Sequence, residues 1–467
     1  MQIQLFDVGQ YGKSHNVTSQ SRQNCYYQIE QIGERSQISV FGTPGYVLFV
    51  EFGGVIRGMY SKGDYLYVVS SGTFWEVNNA GTKVSRGTLT TTSGTVYFAD
   101  NATQVMLVDG TNGYTYTPSS TTFAQITDGD FPVPSTVTWD SGYFIVNKVA
   151  SSRFYISAIN DGTTWAALDF ASAEAEPDDL VRVIANNGEL VLFGQATTEF
   201  WSNTGATDFP YARISGATNE WGLAAKASVA RLDNSLAYLA ANKMGEVIVA
   251  RLDGYSPQRI SNFALEHTIN EYTTTSDAIG YSYMLGGHPM YVLNFPSAGY
   301  TWLYDGSTGL WSSLKSHGIT RHRSNYYANF INKNYVSDYE TGEVYRLGQE
   351  IYDDNGMTIH RKLVSKHVIN DDKNLIVDEI QILMEPGVGV ATGQGSNPQA
   401  MLRYSKDGGH TWSAELWTTI GAIGQYRSRI MWSRLGAARD WIFELQMSDP
   451  VKFVVVTANL TGRSGTS

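Results

Sequence analysis

DYLYVVSSGTFWEV, residues 64–77, holds two runs of aromatic and β-branched residues, 65–69 and Thr73–Val77, around the small polar break Ser70-Ser71-Gly72. Such side chains fit a pleated, half-buried surface, and the Gly-containing break supplies a tight corner, so the stretch predicts a β-hairpin. The unit returns as QVMLVDGTNGYTYT (104–117) and ELVLFGQATTEFWS (189–202). Looser copies are SLAYLAANKMGEVIVA (235–250), PMYVLNFPSAGYTWLYD (289–305) and YYANFINKNYVSDYETGEVYRL (326–347). Residues 139–183 leave room for one more. A spacing of about 40–50 residues is that of propeller blades, so the repeat predicts an all-β chain built on a β-propeller of six or seven blades. Helix is expected only within 261–272 and, for a turn or two, 220–230.

Outward from the repeat the texture changes twice. Residues 1–35 are polar and weakly periodic (SHNVTSQSRQN) and read as an extended N-terminal arm, leaving 36–350 to the propeller. Beyond Ile351 the DDNG turn at 353–356 is followed by the alternating run LIVDEIQIL (375–383) and a Gly-rich loop at 385–396. Residues 351–460 are therefore expected to form a separate, sandwich-like C-terminal β-domain, with 461–467 as a flexible tail.

The chain has 467 residues, 42% hydrophobic and 16% charged, with 29 Tyr, 11 Trp and 46 Gly. That much apolar content supports real cores and excludes disorder. The formal net charge is −11. Tight binders of nucleic acid carry a basic surplus, because their affinity comes from Lys and Arg displacing counterions, so this balance argues against one. The single cysteine, Cys25, excludes an intrachain disulfide or a multi-cysteine metal site and reads as a small buried hydrophobe. MQIQLFDVGQ at the start lacks the features of a cleaved signal, and no apolar run reaches the ~18–20 residues of a membrane span.

Local motifs point to turns rather than chemistry. Ser405, Asp407, Gly409, Thr411 and Trp412 fit the Asp-box pattern S-x-D-x-G-x-T-W, in which the carboxylate folds onto nearby backbone N–H groups and Gly takes a left-handed corner. NDGTTW (160–165) is a degenerate cousin. Asp-boxes occur in sialidases, but as a fold device they carry no catalysis. The adjacent carboxylates Asp178-Asp179 and Asp371-Asp372 read as solvated turns, since a glycosidase pair must face across a cleft. The stretch holding Glu174, Glu176, Asp178 and Asp179 could line a pore or be a solvated loop. HGITRHR (317–323) and HRKLVSKH (360–367) read as basic surface or interface patches without zinc-ligand spacing. There is no P-loop, dinucleotide fingerprint or nucleophile elbow. Catalytic residues, metal ligands, cofactors and a small-molecule substrate are accordingly expected to be absent. Arg427, Arg429, Arg434 and Arg439 interleave with Trp432 and Trp441; Arg427, Arg429, Trp432, Arg434 and Arg439 make a candidate protein interface.

Two stretches go further. Asn24-Cys25-Tyr26 leads to Thr43-Pro44-Gly45, Arg57-Gly58 and the 63–77 hairpin. MLRYSKDGGHTWSAE (401–415) leads to Ile420-Gly421, Gly424-Gln425-Tyr426, Arg429-Ile430-Met431-Trp432, Arg434-Leu435-Gly436, Ala438-Arg439-Asp440 and Ser448-Asp449-Pro450-Val451. Together these resemble the packaged-DNA stabilisation proteins that form the tail nozzle of short-tailed bacteriophages (podoviruses), most specifically over 401–451. Residues 90–350 match only in texture.

The resemblance implies a non-enzymatic structural protein of the virion tail, a hexameric ring below the portal and its adaptor. In that role it would form the DNA exit channel, retain packaged genome until ejection and anchor tail spikes, fibres or a needle. Double-stranded DNA would pass without sequence-specific binding, and the 351–460 domain would make the adaptor and ring contacts. The alternative is a carbohydrate-active, sialidase-like or glycan-binding propeller, which requires clustered Arg, Glu and Tyr at the propeller axis.

Overall fold

A computed structural model describes the chain except residues 1, 10, 11, 13, 15, 16, 31–37, 175, 372, 466 and 467. Seven blades stand in chain order at 56–88, 97–125, 134–172, 180–219, 222–259, 279–313 and 324–348. The hairpins read from sequence are mostly the middle two strands of each blade. In the first, Tyr65–Ser70 pairs with Thr73–Val77 in the register Leu66↔Val77, Val68↔Trp75, Ser70↔Thr73.

Why these middle strands are unbroken apolar runs follows from where their two faces go. Leu66, Val68 and Val77 pack against Phe330, Tyr335 and Val344 of the seventh blade. Tyr67, Val69 and Phe74 pack against Val105, Leu107 and Tyr116 of the second. Successive side chains point to opposite faces, and both faces meet another blade, so both are predominantly apolar. A polar exception such as buried Glu76 is paired, accepting from Arg86 and Tyr116. Each neighbouring pair of blades shares such a cluster, which closes the ring. The seventh blade takes its fourth strand from the other end of the propeller: Gly45–Glu51 pairs with Glu343–Gly348, Leu347 opposite Tyr46.

The C-terminal part is a sandwich of two sheets over one core that includes Leu375, Ile380, Leu402, Trp441, Phe443 and Leu460. One sheet orders Cys25–Ile29, Ile38–Gly42, Val454–Ser464, Leu375–Met384 and Ile430–Ala438; the other contains Arg361–Val364, Asp440–Met447, Gln399–Ser405 and Leu416–Thr419. The all-β architecture expected from sequence is the one observed.

The described part of 1–35 differs from an arm. Gln2–Gln4 pairs with Val454–Ser464, and Ser21–Gln23 pairs with both Arg361–Val364 and the last strand of the sixth blade. Sixth blade and sandwich thereby share one continuous ten-stranded sheet. These segments are polar and short because their partners, not their own periodicity, bury them. Ile38–Gly42 likewise belongs to the sandwich rather than the propeller. At the other end residues 461–464 continue a paired strand, Ser464 opposite Leu375, while Thr466 and Ser467 lie outside the described residues. The one α-helix among the described residues, Phe263–Asn270, is capped by Asn262, whose side chain accepts from Leu265 N at 2.8 Å. A short 3-10 turn at Lys226–Ser228 completes the expected helical pieces.

Candidate functional site

The Asp-box lies in the sandwich, between the strands Gln399–Ser405 and Leu416–Thr419. Ser405 Oγ donates to Asp407 Oδ1 at 2.7 Å and accepts from Gly409 N at 2.8 Å. Asp407 in turn accepts from Thr411 N at 2.8 Å and from the Thr411 hydroxyl at 2.6 Å. The Thr411 hydroxyl, then the Thr411 N–H and the Ser405 hydroxyl, hold the Asp407 carboxyl well below the usual carboxylate range. Gly408 and Gly409 both have positive φ, +68° and +96°. Trp412 is only half-buried, with the Arg403 guanidinium 5.4 Å from its ring centre. The side chains of Ser405, Asp407 and Thr411 are all spent on the turn. In the cousin at 160–165, Asp161 binds Thr163 and Thr164 in the same manner, and Trp165 is buried.

The arginine set lies along one side of the sandwich, where both sheets end. Ile430–Ala438 is the edge of one sheet and Leu416–Thr419 the edge of the other, joined by the loop 420–429. Arg427, Arg429, Arg434 and Arg439 are all exposed. None of the four has an ion-pair or hydrogen-bond partner among the described residues. Trp432 does not join them: it is 7% exposed, sits in the sandwich core and donates from its indole nitrogen to Leu416 O at 3.1 Å. Its interface role is therefore corrected to a core role. Inward Ile430 and Trp432 alternate with outward Met431 and Ser433, a period-2 pattern from which Trp432 could have been placed inside. The aromatic and aliphatic groups that do face outward here are Trp417, Ile423, Tyr426 and Met431, 44–71% exposed. Sequence reading missed them because two sit on separate edge strands and two in the loop. Only the sandwich packing gathers them.

The acidic stretch is divided in its duties. Asp178 accepts from Ala196 N at 2.9 Å and Thr197 N at 3.2 Å, fastening the hairpin turn of the fourth blade. Glu176 pairs with Lys243 at 2.8 Å. Glu174 is exposed and Asp179 half-buried, and neither has a partner among the described residues. Asp372, of the second carboxylate pair, lies outside the described residues. HGITRHR is not a surface patch throughout, because Arg321 and His322 are buried, the guanidinium 3.7 Å from the Tyr339 ring centre. His317 and His360 come from the two basic stretches and meet, Nδ1 to Nε2 at 2.9 Å, with their rings stacked.

A ring of seven blades, closed by the strand Gly45–Glu51 and stitched to a sandwich with an open aromatic and basic side, defines a propeller-and-sandwich protein. Family models match the same two parts: "Bacteriophage P22 Gp10, beta-propeller" over residues 1–352 and "Bacteriophage P22 Gp10, beta-sandwich" over residues 360–463. The chain belongs to the bacteriophage P22 Gp10 family and is a structural protein of the phage tail nozzle, located in the virion tail. A comparison with curated proteins finds no match. Among solved structures, similar chains include YCF48 bound to D1 peptide, 13% identical with TM-score 0.43, covering 68% of this chain and 97% of that one. The Neurospora crassa Pan2 WD40 domain is 9% identical with TM-score 0.43 at the same coverages, 68% and 97%.

Proposed function

We propose that this nozzle protein acts as a non-enzymatic ring subunit, six copies closing head to tail around the DNA exit channel below an adaptor ring. In this reading it retains packaged DNA until ejection and anchors a spike, fibre or needle. The observation that carries the proposal is the open side of the sandwich, where two sheet edges, four unpaired arginines and four exposed apolar side chains meet. Unpaired edges are normally covered or charged, and Trp, Tyr and Arg are the residues that dominate protein interfaces. A ring of identical subunits needs such a heterologous patch on each copy. The acidic total of −11 suits a channel past which phosphates slide, with exposed Glu174 and neighbouring Asp179 as candidate lumen groups. Glu176 and Asp178, held by Lys243 and the fourth-blade turn, are less suited to it.

The test is reconstitution of the full chain with its adaptor, read by native mass spectrometry and negative-stain imaging. Arg434→Glu with Arg439→Glu, and separately Trp417→Ala, should leave the unfolding midpoint within a degree or two while sharply reducing ring-on-adaptor complexes. Normal assembly by both variants would remove this side from the interface.

A further inference from the structure

The axis of the propeller holds a cavity of about 380 Å³ lined by the inner strands of six blades. That volume suits a small molecule and is far too small for duplex DNA. In a chain of net charge −11, the charges around this cavity are of the opposite sign. Arg182, on the inner strand of the fourth blade, and Arg231, on that of the fifth, line it, and no lining residue is Asp or Glu. Arg182 lies 5.2 Å from the ring centre of Tyr97, another lining residue, and Lys226 Nζ lies 5.7 Å from the same ring.

These cations have only neutral partners among the described residues. Arg182 donates to Lys226 O at 2.8 Å, Arg231 to Ala185 O at 2.7 Å, and Lys226 to Ser135 Oγ at 3.2 Å. Asp100, which accepts from the lining residue Tyr60, is paired with Lys62. A second feature is independent of charge: the Tyr97 hydroxyl is buried and has no hydrogen-bond partner. Buried hydroxyls are normally satisfied, and clustered cations normally find a carboxylate. Both exceptions fall at one cavity.

We infer that the axial cavity is an anion-binding site for a small oxyanion, phosphate or carboxylate, held by Arg182 and Arg231 with Lys226 beside them and the Tyr97 hydroxyl as a further donor. Arg231 both lines the cavity and is exposed to solvent, a route by which a ligand enters. Guanidinium groups recognise such anions through paired N–H donors. Lys226 is pushed below its ordinary pKa by burial and then by the Arg182 charge, the repulsion that a bound anion relieves. No Asp or Glu is among the lining residues, so the facing carboxylate pair of a glycosidase is not part of this wall.

The test is calorimetric titration of the full chain with inorganic phosphate, sulfate and succinate at fixed ionic strength, with sodium chloride as the control. Saturable binding of at least one probe at one site per chain is expected. Phosphate or sulfate alone would mark a tetrahedral-oxyanion site, and succinate alone a carboxylate site. Arg231→Gln and Arg182→Gln should each weaken binding about tenfold or more, whereas Arg427→Gln on the sandwich should not change it. Because the Arg182 variant could fail to fold, Arg231→Gln and Tyr97→Phe carry the decision. Tyr97→Phe should weaken binding without lowering the unfolding midpoint, since no bond within the protein is lost. No saturable heat from any of the three anions, or full affinity in Arg231→Gln, would overturn the inference.

Discussion

His322 shows what one buried titratable group does to the acid limb of stability. Burial, then the neighbouring Arg321 charge, lowers its pKa to about 4, against the partial opposition of Asp338. Its ring packs edge-on to Tyr46, and its Nδ1 lies 2.6 Å from Ser324 Oγ. A depressed pKa favours the neutral form in the fold, so its stabilisation is fully present above about pH 6.5 and lost as pH falls toward 4. Asp354, pushed up to about 7 by burial despite Arg361, has the reverse sign: its share is lost as pH rises through 7. The two are separated by substitution. Denaturant unfolding of His322→Asn at pH 7 and pH 4.5 should show an acid loss smaller than wild type by about 2 kcal/mol. Equal losses in both proteins would show that His322 is not the group responsible.

At the scale of elements, the contacts between blades set the tolerance of each strand. Gly280 lies on the inner strand of the sixth blade, and a Cβ there would stand 2.1 Å from Ser228 O of the fifth. A backbone carbonyl cannot rotate away, so a methyl group must separate the two blades. Gly280→Ala is expected to cost about 1–3 kcal/mol by denaturant unfolding, while alanine at Gly129, where nothing lies within 4 Å and φ is not positive, should cost little. Equal losses at both positions would mean that blade spacing is looser than this contact requires. The same logic explains two fragments of the family signature. Arg57 donates to Gly94 O, Ser71 O, Thr91 O and Ser93 O, tying the first blade to the connection after it. Gly58 admits the carbonyl of Val96, which a Cβ would meet at 2.5 Å.

At the scale of the molecule, the N-terminal segment decides whether propeller and sandwich behave as one body. Asn24 is 1% exposed; its side chain donates to Lys315 O at 2.8 Å and His360 O at 2.9 Å and accepts from Lys315 N at 2.9 Å. It bridges the connection after the sixth blade to the entry of the sandwich. Calorimetry of the full chain should give a single main unfolding transition. Asn24→Ala leaves three part-buried backbone groups of Lys315 and His360 without their partner and should cost about 1–2 kcal/mol, separating the transition into two. Two resolved transitions in the unaltered protein would dismiss this coupling.

The repeated hairpins, the blade spacing, the change of texture after Ile351 and the Asp-box turn were legible because each depends on side chains close in sequence. The middle strands announce themselves as continuous apolar runs for the reason that both faces are buried, and the turn motif closes within seven residues, Ser405 to Thr411. Tertiary structure alone decided that Gln2–Gln4, Ser21–Gln23 and Ile38–Gly42 serve the sandwich sheets, that Trp432 is core, and that Trp417, Tyr426 and the arginines share one side. It alone brought Arg182, Lys226, Arg231 and Tyr97 to one axis. Those relations join residues up to several hundred positions apart through pairing and ring closure, and local periodicity carries no record of a partner that distant.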